Sequence, residues 1–355
     1  MLALMLTASA LITAAWAERR HPSTSATIPS SVRIESAAAA DSSGLVIQAG
    51  LHVRNIYDLA LADQSFLAEG WYWYQWGPDL QAVLERLRIN PDDLIELSNE
   101  IELGQYSSRE VAPSSPAALA PGTYGRIVRF SGKFYLQEVP QRYAPFDPQS
   151  LTIELEVEPD LLSLESNRVH LEPINRAASI VGESAQISGY RLDSVAWKRS
   201  LVRYPEDFLP GMKFSRLTAV LQYGKNEWSM FLKWIFPLLV VMIIVIVSPS
   251  IEGVLGDVRL AIPPSALLTL VVMQDSYKSS FPPAPYLTYL DELYVYSYVV
   301  CLLIFLLFLV GTNLVARCAD QDRARVARRV NRIDTVVQLS ALFGFVLVAV
   351  VGWCT

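Results

Sequence analysis

DVRLAIPPSALLTLVVMQDSYKSSFPPAPYLT, residues 257–288, lies between two strongly apolar runs yet carries Arg259, Gln274, Asp275 and Lys278 within one helix length. An ionisable group at bilayer depth is costly and normally faces a water-filled cavity or a protein partner. Written as a helix, 265–279 sorts into rows. Ser265, Leu268, Thr269, Val272, Asp275, Ser276 and Ser279 recur at the i, i+3, i+4, i+7 spacing of one face. That face runs polar, apolar, polar, as the wall of a gated pore does. Leu268 and Val272 would form a constriction that dewets, and Asp275 a ring of charge at the wider mouth. The competing reading is an extramembrane amphipathic helix packed on a soluble domain. Pro263 and Pro264 predict that the regular helix starts at Pro263 and leaves 257–262 non-helical. Proline suits a first turn and costs about 3 kcal/mol or more inside a helix.

Outward from this segment, three more apolar runs complete a set of spans at about 231–247, 263–281, 293–316 and 333–353. Tyr294, Tyr296 and Tyr298 suit an interfacial belt at the start of the third. Between the third and fourth lie Arg317, Arg323, Arg325, Arg328, Arg329 and Arg332, which the positive-inside rule assigns to the cytoplasm. Residues 1–17 read as a signal peptide ending in Ala15-Trp16-Ala17, with an uncleaved anchor as the alternative. Residues 18–43, rich in Ser, Ala, Thr and Pro, read as a disordered linker. From 44 to 229 short alternating runs broken by Pro, Gly, Asn and Asp predict an extracellular β-sandwich, with one helix at 78–87. Residues 230–355 form the transmembrane domain. The expected fold is therefore an all-β immunoglobulin-like sandwich followed by an all-α four-helix transmembrane domain.

With these residues in view, the chain resembles the pentameric ligand-gated ion channels, the Cys-loop receptor superfamily, in their bacterial form. The resemblance rests on Arg259, on Leu267-Leu268-Thr269, and on Phe281-Pro282-Pro283-Ala284-Pro285-Tyr286-Leu287-Thr288 leading to Asp291. In the first domain it rests on Ile56-Tyr57-Asp58-Leu59 with Asp63 and Phe66, and on Trp76 with Asp79. It rests there also on Tyr143-Ala144-Pro145-Phe146-Asp147-Pro148-Gln149. It implies a pore lined by Asp257, Ser265, Leu268, Thr269, Val272, Asp275, Ser276 and Ser279, with Asp257 near the family's selectivity acid. It implies a gating interface of Asp63, Tyr143, Pro145, Phe146, Asp147, Lys225, Pro283, Pro285 and Tyr286. Lys225 stands where the family usually has Arg and loses bidentate pairing. A core aromatic is the competing role for Phe146.

The ligand pocket departs from the family's aromatic cage. Its counterpart turn, Glu156-Val157-Glu158-Pro159-Asp160, offers carboxylates, while Tyr204 and Phe208 stand where the capping loop would be. Trp71, Trp73 and Trp76 are read on one strand face opposite Tyr72 and Tyr74, as ligand wall or as core. The candidate ligand residues are Trp73, Asp160, Tyr204 and Phe208. Acids at Asp92, Asp93, Glu96, Glu100 and Glu102 read as a solvated face. His21, His52 and His170 form no metal pattern, and no nucleophile elbow or phosphate loop occurs, so an enzyme, a metal site and a cofactor are not expected. Cys301, Cys318 and Cys354 all fall late, leaving the sandwich without a disulfide. A net charge of −6 and a pI of 5.3 argue against nucleic acid. The expected partners are an unknown small-molecule or proton ligand, permeating inorganic ions, the bilayer, and four further copies in a homopentamer. The expected function is a cation-preferring ligand-gated channel subunit in the cell membrane, its first domain periplasmic or extracellular. The alternative is a non-conducting membrane-anchored sensor of the same architecture.

Overall fold

The computed structural model describes residues 33–36, 45–111, 122–137, 139–158, 168–204, 211–251, 256–317 and 323–354. The signal-peptide assignment and most of the expected linker lie outside them. Four residues of that linker are described, Arg33–Ser36, and they form a strand rather than coil. By contacts the chain divides into a β unit, 27–139 with 148–225, and a helical unit, 226–355 with the loop 140–147.

The β unit is a sandwich of two five-stranded sheets. Its strands are β1 (Arg33–Ser36), β2 (Leu45–Ala60), β3 (Ser65–Trp76), β4 (Ile95–Leu97), β5 (Glu100–Glu110), β6 (Tyr124–Tyr135), β7 (Gln149–Val157), β8 (Val169–Pro173), β9 (Tyr190–Arg203) and β10 (Phe214–Lys225). One sheet runs β1-β9-β10-β7-β4, the other β5-β6-β3-β2-β8. Strict alternation of buried and half-buried residues along β3 gives the period of two that a one-sided strand requires. The core is Leu51, Val53, Phe66, Phe130 and Phe134 from one sheet against Leu151, Ile153, Leu155, Leu217 and Leu221 from the other. Buried Asn99 stitches the sheets. Its amide donates to the carbonyls of Thr152 (2.7 Å) and Tyr135 (3.3 Å) and accepts from the Glu154 amide. Gly70 sits where β2 is bulged; a Cβ there would collide with the His52 carbonyl. Helix α1 (Pro78–Leu87) begins on proline and buries Leu80 and Leu84.

The helical unit contains α2 (Glu227–Ser250), α3 (Gly256–Lys278), α4 (Tyr289–Ala316) and α5 (Arg323–Cys354). Each contains a stretch long and apolar enough to cross a membrane, so the chain is a multi-pass membrane protein with a β-sandwich ahead of four spanning helices. In α2 a π-turn over Phe231–Ile235 precedes Pro237, whose ring removes one helical donor. Gly344 on α5 leaves room for the Tyr296 hydroxyl of α4, which donates to the Ala341 carbonyl at 3.0 Å.

Helix α3 overturns the expectation about its start. It is helical from Gly256, with Pro263 and Pro264 inside it. Membrane helices tolerate proline where hydroxyl groups and neighbouring helices restore the freed backbone bonding. Here Pro263 is buried, and the carbonyls that the two rings leave without a helical donor are those of Arg259 and Leu260.

Candidate functional sites

Helix α3 carries the polar row. Ser265, Leu268, Thr269, Val272, Asp275, Ser276 and Ser279 are all exposed, while Arg259, Ala266, Leu270 and Tyr277 are buried on the other side. Only 17% of its span is buried, against 50% for α4. The side chain of Asp257 lies outside the described residues. Beside the row, α2 and α3 border a cavity of about 640 Å³ walled by Val241, Ile244, Ile262 and Thr269.

Of the other described charges of this helix, Lys278 is exposed near Asp275, while Arg259 is turned inward. Arg259 is 5% exposed. Its guanidinium pairs with Asp334 of α5 at 2.5 Å, reaches the Pro249 carbonyl at 3.4 Å, and lies 4.3 Å from the Phe308 ring of α4. A single copy therefore shelters this arginine by itself. At the other end Asp291 gathers Gln274 (3.2 Å), the Thr288 amide and hydroxyl (3.3 and 3.0 Å), and more distantly Lys278 (3.9 Å). Asp275 remains the exposed acid at that end.

The expected gating residues divide between the units. Tyr143, Pro145, Phe146 and Asp147 belong to the helical unit. Phe146 meets Trp353 at 5.3 Å, edge on, Tyr143 meets it at 6.1 Å, and the Arg142 carbonyl accepts from the Tyr289 amide at 2.9 Å. The Ala144–Pro145 peptide is cis, and Pro145 and Asp147 are buried. Pro283, Pro285 and Tyr286 are exposed between α3 and α4. Asp63 is exposed in the β2–β3 turn, and the Lys225 ammonium stands 6.0 Å from the Tyr190 ring.

In the β unit the outward side of the β4-β7-β10 sheet carries a charge cluster that the sequence reading missed. Register places Glu96, Glu156 and Arg216 side by side on three strands. Arg216 binds Glu156 at 2.5 Å and Glu154 at 2.8 Å, and both carboxylates are buried. Tyr204 donates to Glu156 at 3.0 Å and packs on Phe214; Gln137 and Ser98 donate to Glu154 at 2.8 and 3.2 Å. Glu96 is hydrogen-bonded to Glu158, and burial first, then Glu158 and Glu156, push its carboxyl up to about 8. Burial also raises Glu156 despite the pull of Arg216. Two carboxyl groups bonded to each other must share a proton. So Glu96 is no solvated acid, and three carboxyls, Glu96, Glu154 and Glu156, act on one guanidinium, with Glu158 bonded to the first. Among the described residues no three such groups converge as metal ligands do.

Of the candidate ligand residues, Tyr204 alone joins this cluster. Trp73 lies in the other sheet, its indole over Gly50 and against Ile174. Trp76 is buried with Tyr72 and Tyr74 rather than opposite them, because 71 and 73 differ from 76 in parity along the strand. Asp160 and Phe208 lie outside the described residues. Compared with known proteins, the chain matches no family model, and no curated protein resembles it closely enough to count as a match.

Proposed function

We propose that this chain is one subunit of a homopentameric, cation-preferring, ligand-gated channel in which α3 lines the pore. One observation carries the reading: the least buried of the four spanning stretches keeps its whole polar row on the exposed side while its arginine is paired internally. A hydroxyl- and carboxylate-bearing face in lipid is unfavourable, whereas several copies around a common axis would give it water. The neighbouring copy would also fill the apolar cavity between α2 and α3. Asp275, exposed at one end, supplies the charge that concentrates cations. The β unit then lies outside the cell membrane with the arginine-rich end of α5 in the cytoplasm. The acidic cluster around Glu156 favours a proton or a cationic small molecule as the ligand.

Five copies of Leu268, 68% exposed, with Val272 one turn on, would close such a pore by expelling water. Leu268→Ser should raise spontaneous cation flux into proteoliposomes, or lower the ligand level needed to open the pore. Oligomers inserted correctly and silent for both wild type and Leu268→Ser would sink the channel reading and leave a non-conducting sensor.

A further inference from the structure

Strand β1 is the one described piece of the chain ahead of β2, and its place on the sheet gives it leverage. It pairs antiparallel with the last four residues of β9: Arg33 opposite Arg203, Ile34 opposite Val202, Glu35 opposite Leu201 and Ser36 opposite Ser200. On its other side β9 pairs with β10, Val202 opposite Phe214. From Tyr190 to Arg199, β10 is the one strand partner of β9 among the described residues. Only the end of β9 is held from both sides, and Ser200 and Val202 there are buried.

Tyr204 is the next residue. Its hydroxyl donates to Glu156 at 3.0 Å and its ring packs edge-on against Phe214 at 5.7 Å, while Glu156 is wholly buried. Whatever fixes the end of β9 therefore fixes the group that covers this carboxylate. A four-residue ladder fixes it weakly, because its few backbone bonds are nearly offset by the ordering of the chain that makes them. The strand is also on a short leash. The eight residues 37–44 join it to β2 in the opposite sheet and reach at most about 27 Å. A detached β1 thus stays at high effective concentration and re-pairs.

We propose that β1 is a detachable strap that pins the end of β9 and keeps Glu156 closed beneath Tyr204. Paired, it holds the Tyr204 hydroxyl on the carboxylate. Released, it lets that end of β9 lift and admits a proton or a small cation to Glu156. A hydrogen bond donated to a carboxylate favours its charged form, so release also makes Glu156 readier to take up a proton. The consequence for gating rests on the cluster being the ligand site, as proposed above; the strap itself is read without any flux.

Successive N–H groups of a strand point to opposite sides, so replacing two neighbours by proline must remove a ladder donor. Ile34→Pro with Glu35→Pro in the full chain should therefore release the strap. Hydrogen exchange should quicken about tenfold over 200–204 and stay unchanged over β2 and β3. Carbodiimide labelling of Glu156, read by mass spectrometry, should rise several-fold relative to exposed Glu110 in the same sample. The opposite variant, Glu35→Cys with Leu201→Cys, ties the strap down. Opposed residues on antiparallel strands have Cα atoms about 4.5–5.5 Å apart, within disulfide reach. Oxidised, this protein should label Glu156 more slowly than wild type, and reduction should restore the rate. If the proline variant loosens β2 and β3 as well, the oxidised and reduced forms decide. Quickened exchange with unchanged Glu156 labelling would make β1 a mere edge cover and overturn the proposal. So would unchanged exchange. A disulfide joining two copies, in place of one within a copy, would assign the strand to a neighbour and overturn it too.

Discussion

Both units bury an arginine, and they bury it in opposite company. Arg259 in the helical unit faces one carboxylate, Asp334, with aromatic and carbonyl neighbours. Arg216 in the β unit faces two directly, Glu154 and Glu156, with Glu96 and Glu158 alongside. A one-to-one pair is neutral. A cluster of four carboxyls with one guanidinium cannot all ionise cheaply, and the hydrogen bond between Glu96 and Glu158 needs a proton whose loss changes the local charge. The first arrangement ties helices together; the second can respond to its surroundings.

The largest expected effect comes from breaking the matched pair. Asp334→Ala leaves Arg259 buried and uncompensated, at a cost of about 3–5 kcal/mol. Thermal unfolding of the detergent-solubilised protein should show a large fall in midpoint. Combining Asp334→Leu with Arg259→Met should recover most of the loss, since an apolar replacement of a buried pair is often neutral. A double variant as unstable as the single would mean that the arginine serves more than its partner, and the comparison would fail on that side.

Breaking the mismatched cluster should cost less. Glu156→Gln leaves Arg216 its 2.8 Å bond to Glu154 and keeps an oxygen for the Tyr204 hydroxyl. It also removes one of the crowded charges. The expected loss is at most about 2 kcal/mol, clearly below that of Asp334→Ala in the same unfolding measurement. A larger loss would show that Glu156 is as indispensable to Arg216 as Asp334 is to Arg259.

The sequence made one of these regions more legible than the other. The row from Ser265 to Ser279 follows a helical period within fifteen residues, so its face could be read before any fold was known. The strand pattern was legible for the same reason, because alternation is local. Glu154, Glu156 and Glu158 obey that alternation too, and on a strand it reads as a solvent face. What buries them is remote: Arg216 is sixty residues from Glu156, Tyr204 forty-eight. Register across β4, β7 and β10 cannot be read from one strand. Likewise Asp334 lies seventy-five residues from Arg259, and nothing local to α3 announces it. The prolines misled for a different reason. The rule that places proline in a first turn comes from helices in water, and membrane-spanning helices accept internal prolines more readily.

The effect that most sharpens the comparison is on pH. The Glu96 carboxyl, at about 8 in the folded chain, lies above the ordinary glutamate value. The groups facing it are Glu156 on its β7 neighbour, Glu158 just past the end of that strand, Arg216 on β10, and the hydroxyls of Tyr204 and Tyr106. Between the ordinary value near 4.3 and about 8 the folded protein keeps a proton that the unfolded chain has released. Folded protein then binds more protons than unfolded, so stability falls as pH rises through that window and levels off above it. Burial also raises Glu156, which adds in the same direction. The unfolding midpoint, followed by tryptophan fluorescence, should therefore decline from pH 5 to 8, and Glu96→Gln should flatten the decline. Glu96→Gln does so by replacing the shared proton with an amide donor that needs none. A midpoint that rises over this range in the wild type, or a slope untouched by Glu96→Gln, would show that the surplus carboxyls are already neutralised elsewhere. The contrast between the two buried arginines would then be one of geometry alone.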